Sequence, residues 1–398
     1  MRHRGLLAVM FLLLTVVLGA CGSSNSSSTE ASTHETSSEV SGTKDDSSLK
    51  ESAAKLAATY ASTNTPPPAA GPKAVPGKKV TAIVYGLEAE SGKTFAEGFE
   101  RATKAIGWSG RVVDGEFSAN KYLESVRKAV AEKVDGIVTY VIDCPSIQAG
   151  AQEAKSAGIP LVYDEGFDCN EIDPNGPETG YKLGTYHTFS QKESGDFQEY
   201  IEAAGELQAA AAIQATEGKT SAIVLNETDA RVTEYLTDGF LRSLSSCGEC
   251  SVDKQLNWVG GDLGSPLQEK VEQALLQAPE ANVLMGNYDD PVVDSAAPAV
   301  RAAGRTGSIY VTGTAGYEPM MELIRNEEAD MTVGLPVEWF AWAGVDRLNR
   351  IFGGEEKLPE TGIGLALIDK EHNLPPEGQA WKPNIDFESA YRKAWGLG

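Results

Sequence analysis

Histidine is scarce in this chain. There are four in 398 residues, at His3, His34, His187 and His372. The first two lie in a polar N-terminal stretch outside any core, so a three-histidine zinc centre is excluded and only a single histidine base remains possible. Basic residues are also few, 34 Lys and Arg against 57 Asp and Glu, for a formal charge of −23. So acidic a surface repels phosphate backbones and argues against nucleic-acid binding. No Gly-x-Ser-x-Gly elbow occurs, which removes the commonest hydrolase nucleophile. The acid-rich stretch Asp164 to Asp173 lacks the alternating oxygen ligands and central glycine of a calcium loop, so no metal is expected there. What remains is a globular composition, 41% hydrophobic and 23% charged, in a chain long enough for two domains.

The N-terminus reads as an address. Arg2, His3 and Arg4 precede the apolar run Leu6 to Leu18, which is too short for a comfortable membrane span and is flanked as a signal h-region is. It ends in Leu18-Gly19-Ala20-Cys21, which resembles a bacterial lipobox. Residues 1–20 are therefore expected to be a lipoprotein signal peptide, with acylated Cys21 anchoring the chain outside the cytoplasm. Residues 22–48 are Ser/Thr-rich and nearly free of large apolar side chains, so they cannot offset the entropy of ordering. Leu49 to Ala61 could form a transient helix. Pro66, Pro67, Pro68, Pro72 and Pro76 then suggest an extended spacer. The expectation is a disordered Ser/Pro-rich tether over 21–77.

From Val80 onward, short β-branched runs alternate with helix-period segments. Val80–Tyr85, Arg111–Val113, Gly136–Val141 and Ile159–Tyr163 read as strands. Helices are expected between them over Phe95–Ile106, Tyr122–Ala131 and Ile147–Ala157. The pattern restarts at the helix Phe197–Ala212 and runs through strands at Ser221–Leu225, Leu256–Val259, Asn282–Met285 and Ser308–Thr312. Such alternation implies an α/β fold of two doubly wound, Rossmann-like lobes with parallel sheets. Ligands bind beyond the carboxyl ends of such strands, so the cleft between the lobes is the expected site.

Residues 134–164, VDGIVTYVIDCPSIQAGAQEAKSAGIPLVYD, resemble the type I periplasmic substrate-binding proteins of the ribose- and galactose-binding kind. Asp238-Gly239-Phe240, Asn287-Tyr288-Asp289, Ala302-Ala303-Gly304 and Val311-Thr312-Gly313 continue the resemblance in order. It implies a three-segment hinge with crossovers near Thr188, Gly334 and Leu367. The lobes are then 78–188 with 335–367 and 189–334 with 368–398. It also implies a monomer without cofactor that closes on a small molecule and delivers it to the permease of an ABC importer. The runner-up readings are a lipoprotein that senses ligand for a membrane kinase and, behind it, a tethered hydrolase. A family repressor is excluded by the export signal and the lack of a helix-turn-helix start.

The strand-end loops supply the candidate ligand-binding residues. They are Glu88, Glu90 and Ser91 after the first strand, Asp143 after the third, and Asp164 and Glu165 after the fourth. In the second half they are Asn226, Tyr288, Asp289 and Tyr317, with Glu338 and Trp339 beyond the second crossover. Carboxylates and amides bond hydroxyls or amines, and aromatic faces cover apolar ring surface. The usual sugar-gripping residues of the family are replaced here by Ser91-Gly92, Glu165-Gly166 and Ala315, so the ligand does not follow from the resemblance. With few local bases, the cleft favours a neutral or cationic compound. The run Gly86 to Thr94 imitates a phosphate loop but has five residues between its glycines instead of four. With Cys21 assigned to the lipobox, four cysteines remain and allow three pairings. The favoured one is Cys144–Cys169, after neighbouring strands, with Cys247–Cys250.

Overall fold

The computed structural model describes residues 42–398. The leader, Cys21 and the rest of 1–41 lie outside the described residues. Within the described residues the expected tether is not disordered: helix α1 (Gly42–Tyr60) packs on the helix Phe197–Ala215. Small side chains allow this close approach, with Ser48, Ser52 and Thr59 buried, and Lys55 pairs with Glu206 at 2.8 Å. The following stretch is fixed through its backbone. Thr63 N donates to Leu365 O at 2.8 Å, and Thr65 N donates to Gly362 O at 2.8 Å. A proline-rich extended chain leaves its carbonyls without internal partners. Here Ala70 O accepts from Arg350 at 3.0 Å, Pro72 O from Asn349 at 3.0 Å, and Val75 O from Trp108 Nε1 at 2.7 Å. Composition signalled disorder, but these residues find their partners on the folded body.

The first sheet begins at β1 (Lys79–Val84), buried except at its first residue, as expected of a strand covered by helices on both faces. Helix α2 (Glu90–Ile106) turns Phe95, Phe99, Ala102 and Ile106 inward and stops at Gly107, whose φ of 81° is the left-handed cap glycine adopts freely. β2 (Ser109–Asp114), α3 (Ala119–Ala131), β3 (Gly136–Tyr140), α4 (Cys144–Ser156), β4 (Leu161–Asp164), the short α5 (Cys169–Ile172) and β5 (Tyr181–Lys182) follow. The strands are parallel in the order β2-β1-β3-β4-β5. Cys144 and Cys169 are disulfide-bonded and tie the starts of α4 and α5.

A small antiparallel pair, β6 (Tyr186–His187) and β7 (Ser194–Gly195), leads into α6 (Phe197–Ala215), which opens on an Asp196–Glu199 capping box. The second half continues through β8 (Ser221–Glu227), α7 (Arg231–Ser245), β9 (Ser251–Trp258), α8 (Ser265–Gln277), β10 (Val283–Met285), α9 (Asp289–Pro291) and α10 (Ala297–Ala302). β11 (Tyr310–Ala315), α11 (Glu318–Arg325), β12 (Met331–Gly334), α12 (Val337–Phe352), β13 (Ala366–Asp369) and α13 (Phe387–Ala394) complete the chain. The sheet order is β13-β12-β11-β10-β8-β9, parallel except for β13. Helices α6 and α7 touch backbone to backbone, since a Cβ on Gly239 would stand 2.0 Å from the Glu202 carbonyl oxygen. Cys247 and Cys250 form a second disulfide just beyond α7.

The chain crosses from the first sheet to the second between β5 and α6. It returns after β12, because α12 packs on α2, β3 and β4, and crosses again to β13. The tail departs from the expected assignment of 368–398 to the second lobe. α13 comes back to α12 and α2, drawn by an aromatic stack. The rings of Trp342 and Trp395 stack nearly parallel with centroids 5.6 Å apart, and Trp339 stacks on Phe387 at 5.1 Å. Such pairs add about 0.5–1.5 kcal/mol each beyond area burial. Trp395 Nε1 donates to buried Asp346 at 2.8 Å. No described helix is long and apolar enough to cross a membrane.

Candidate functional site

The carboxyl ends of β1, β3 and β4 face those of β8, β10 and β11 across a cavity. Tyr85, Ser91, Tyr140, Val141 and Glu165 line it from the first sheet, and Glu227, Thr233, Asn287, Tyr288, Thr314 and Tyr317 from the second. Ile201, Val232, Leu236, Leu335 and Val337 supply most of the remaining wall. No lysine, arginine or histidine is among the lining residues.

The two halves are in direct contact around this cavity. Tyr85 and Tyr288 share a hydrogen bond between their hydroxyls at 2.7 Å. Glu90 N donates to Asp290 Oδ1 at 2.5 Å, and Arg231 N donates to Asp143 Oδ2 at 2.8 Å. Phe167 reaches across to pack on Phe197 and Tyr235, with centroids at 5.5 and 5.1 Å. These contacts describe a closed cleft.

Closure leaves polar atoms without partners. Glu227 is fully buried and neither of its side-chain oxygens meets a partner in good hydrogen-bond geometry, with Tyr288 and Asp229 the polar groups beside it; Ser91 Oγ and Glu165 Oε1 are likewise buried and unpartnered. Burial pushes the Glu165 carboxyl up to about 8 and Asp290 up to about 7, and raises Glu227 well above the usual carboxylate range. For Glu227 the neighbouring Asp229 charge acts in the same direction. Burial also raises the phenols of Tyr85, Tyr140, Tyr288 and Tyr317, keeping them protonated as donors.

Backbone strain gathers here. Val141 (φ 54°), Glu165 (φ 48°) and Ala315 (φ 141°) follow or end β3, β4 and β11, and all three line the cavity. Positive φ costs a non-glycine residue about 1–3 kcal/mol and persists where surrounding structure holds it. For β-branched Val141 it is a genuine outlier. The scaffold behind the cavity is hydrogen-bonded. Asn287 Nδ2 donates to Thr237 Oγ1 at 2.8 Å, and buried Gln208 of α6 donates to Thr314 Oγ1 at 2.6 Å.

Of the expected site residues, Ser91, Glu165, Tyr288 and Tyr317 line the cavity. Glu88 is exposed. Glu90 contributes its amide to the Asp290 contact while its carboxylate pairs with Lys93 at 3.3 Å. Asp143 joins the two halves rather than facing the cavity, and burial pushes it up to about 6. Asp164 is buried against Gly344 of α12, with both oxygens unpartnered. Asn226 points to Asn257 of β9 at 2.9 Å. Asp289 braces the loops, accepting from Gly316 N at 2.6 Å and Thr332 Oγ1 at 2.7 Å. Glu338 pairs with Arg101 at 2.8 Å, and Trp339 is in the core under α13. The phosphate-loop imitation is ruled out by packing, since a Cβ on Gly92 would stand 1.9 Å from the Gly86 carbonyl oxygen and no anion fits between them.

The candidate set omits Tyr85, Tyr140, Glu227, Asn287 and Asp290, although Glu227, Asn287 and Asp290 fall in the polar strand-end loops from which it is drawn. The signal for the first three was position: Glu227 is the last residue of its strand and the two tyrosines end apolar runs. A second cavity, between α2, α12 and the segment Gly378–Glu388, borders the first and shares Ala315, Tyr317, Leu335 and Val337 with it.

The family described as periplasmic binding protein domain matches residues 83–356. No curated protein matches the chain. Among solved structures, an ABC transporter solute-binding protein from Actinobacillus succinogenes with bound D-allose superposes with a TM-score of 0.64 at 17% identity, over 74% of this chain and 98% of its own. A glucose-galactose binding protein from Geobacillus stearothermophilus gives 0.62 at 18% identity, over 74% and 98%. A Caulobacter myo-inositol binding protein bound to myo-inositol gives 0.63 at 15% identity, over 76% and 96%. At these identities the likeness carries the fold.

Proposed function

Because the chain belongs to the periplasmic binding protein domain family, we propose that it is an extracytoplasmic solute-binding protein of an ABC importer. It captures a small polar ligand, a sugar, polyol or related neutral or cationic compound, between its two lobes. It then presents the closed form to a membrane permease, and acylated Cys21 holds it at the membrane surface. In this reading the first lobe is 78–188 with α12 and α13, and the second is 189–334 with β13. The observation that carries the reading is the cavity between the strand ends, about 50 Å³ with the lobes in this position, whose wall holds buried polar atoms of Ser91, Glu165 and Glu227 with no protein partner. Unpaired buried groups of this kind are costly unless something fills the space between them.

Ligand acts by differential affinity. It touches both lobes only when they are closed, so it shifts the population toward closure. The sugars and inositol held by the similar structures make polyhydroxyl compounds a natural first panel. Titration of the chain with sugar, amine and organic-acid panels, read by tryptophan fluorescence, tests the proposal. Saturable binding of a sugar, polyol or amine is expected; binding of organic acids alone would sink it.

A further inference from the structure

We propose that the solute carries an ammonium group, seated between Glu165 of one lobe and Glu227 of the other. The inference rests on the cleft being the solute site and names the chemistry of what fills it. Glu165 and Glu227 enter the same cavity from opposite sheets, both more than nine-tenths buried, with Glu165 Oε1 and both Glu227 oxygens unpartnered. No basic residue lines the cavity to balance them.

The hydrogen-bond inventory points the same way. The free groups of highest demand are acceptors. The amide donor of the cavity, Asn287 Nδ2, is already used on Thr237 and Thr233. The hydroxyl of Thr233 is used on backbone oxygens. The remaining hydroxyls turn either way. In the ligand-free cleft burial holds a proton on each carboxyl. A sugar leaves them so, whereas an ammonium brings donors only, favours the ionised carboxylates and pairs with the charge that forms as their protons leave to solvent. Four tyrosines, Tyr85, Tyr140, Tyr288 and Tyr317, line the same cavity, and the quadrupole of an aromatic ring attracts a cation. The rest of the wall, including Val232, Leu236 and Val337, suits the carbon skeleton of such a compound.

The approach is acidic too. The neighbouring cavity, which shares four lining residues with the first, carries Glu90, Glu97, Glu318, Glu338, Asp386 and Glu388 against a single lining base, Lys382. Arg101 and Lys93 offset some of these charges, pairing with Glu338, Glu388 and Glu90. The balance stays negative, as a surface that draws cations inward requires.

The test is isothermal titration of the full chain with organic ammonium compounds, each paired with its hydroxyl analogue. Glucosamine with glucose and cyclohexylamine with cyclohexanol represent a polyhydroxyl and an apolar skeleton. The ammonium member is expected to bind at least about tenfold tighter in one of the two pairs, a factor of ten being the usual scale of one well-placed interaction. Glu227→Gln is expected to remove that preference. Glu165→Gln carries the same test where Glu227→Gln does not fold. Hydroxyl members binding as tightly as their ammonium partners overturns the inference and leaves solute binding intact. An ammonium preference that survives both substitutions also overturns it. No binding by any member overturns both this inference and the proposed function.

Discussion

Replacing Glu165 by Gln removes one proton-binding site from the closed cleft and almost no volume. In the unfolded chain this carboxyl ionises near its ordinary 4.5, whereas burial in the closed fold pushes it up to about 8. Between those values the folded chain keeps a proton that the unfolded chain has released. Stability therefore falls as pH rises through this window and levels off above about pH 8. The full loss from this one group is on the order of 5 kcal/mol. Urea unfolding of the ligand-free chain from pH 5 to 8 measures it. The natural chain is expected to lose stability steadily over that range. The Gln variant should lose less, with a gap between the two that widens toward pH 8. Some slope persists in the variant, because burial also raises Asp290 to about 7 and Asp143 and Asp289 to about 6. The left-handed backbone at residue 165, φ 48°, is common to both chains and cancels. Parallel profiles for the two would refute the reasoning that Glu165 titrates inside a closed cleft.

Asp143→Ala deletes the carboxylate that accepts from Phe167 N and, across the cleft, from Arg231 N. Hydrogen bonds to charged groups are worth about 1.5–3 kcal/mol, so the ligand-free chain should open and its radius of gyration in solution scattering should rise; an unchanged radius contradicts the latch. A chain beginning at residue 78 should melt well below one beginning at 42, because Arg350, Asn349 and Trp108 lose the carbonyls of Ala70, Pro72 and Val75. Each buried donor left without a partner costs about 1–3 kcal/mol, and equal melting points would dismiss the packing of that segment as inconsequential. Gly239→Ala pushes a methyl group to 2.0 Å from the Glu202 carbonyl oxygen, so α6 and α7 must separate. A destabilisation of about 1–3 kcal/mol in chemical unfolding is expected, and a neutral result would show that the helices yield freely.

Much of the architecture was legible because each signal was local. Val80–Tyr85 and Gly136–Val141 are too short and too β-branched for helices, and Gly107, Gly158 and Gly304 stop the helices before them through left-handed turns. The N-terminal segment misled because Ser, Thr and Pro predict disorder only when nothing on the folded body receives them, and its partners at Leu365 and Asn349 lie some three hundred residues away. The tail misled for the same reason, since Trp395 finds its partners on α12. At the site, loops were the right place to look but the register was off by one. Asn226 faces β9 while its strand neighbour Glu227 lines the cavity. Successive strand residues point to opposite faces, so a slip of one exchanges structural for site residues. Whether a polar side chain finds a protein partner is a tertiary fact with no local sequence signal.

The central claim is that this cleft closes on a small polar solute. A thermal-shift screen of the 42–398 chain against sugars, polyols, amines and organic acids tests it most directly. A ligand at a hundred times its Kd should add about 2.7 kcal/mol of stability. The account predicts a clear rise in Tm with a sugar, polyol or amine, lost when Tyr288 and Glu227 are both replaced by Ala. A rise that survives that double substitution, or one produced by organic acids alone, would contradict it.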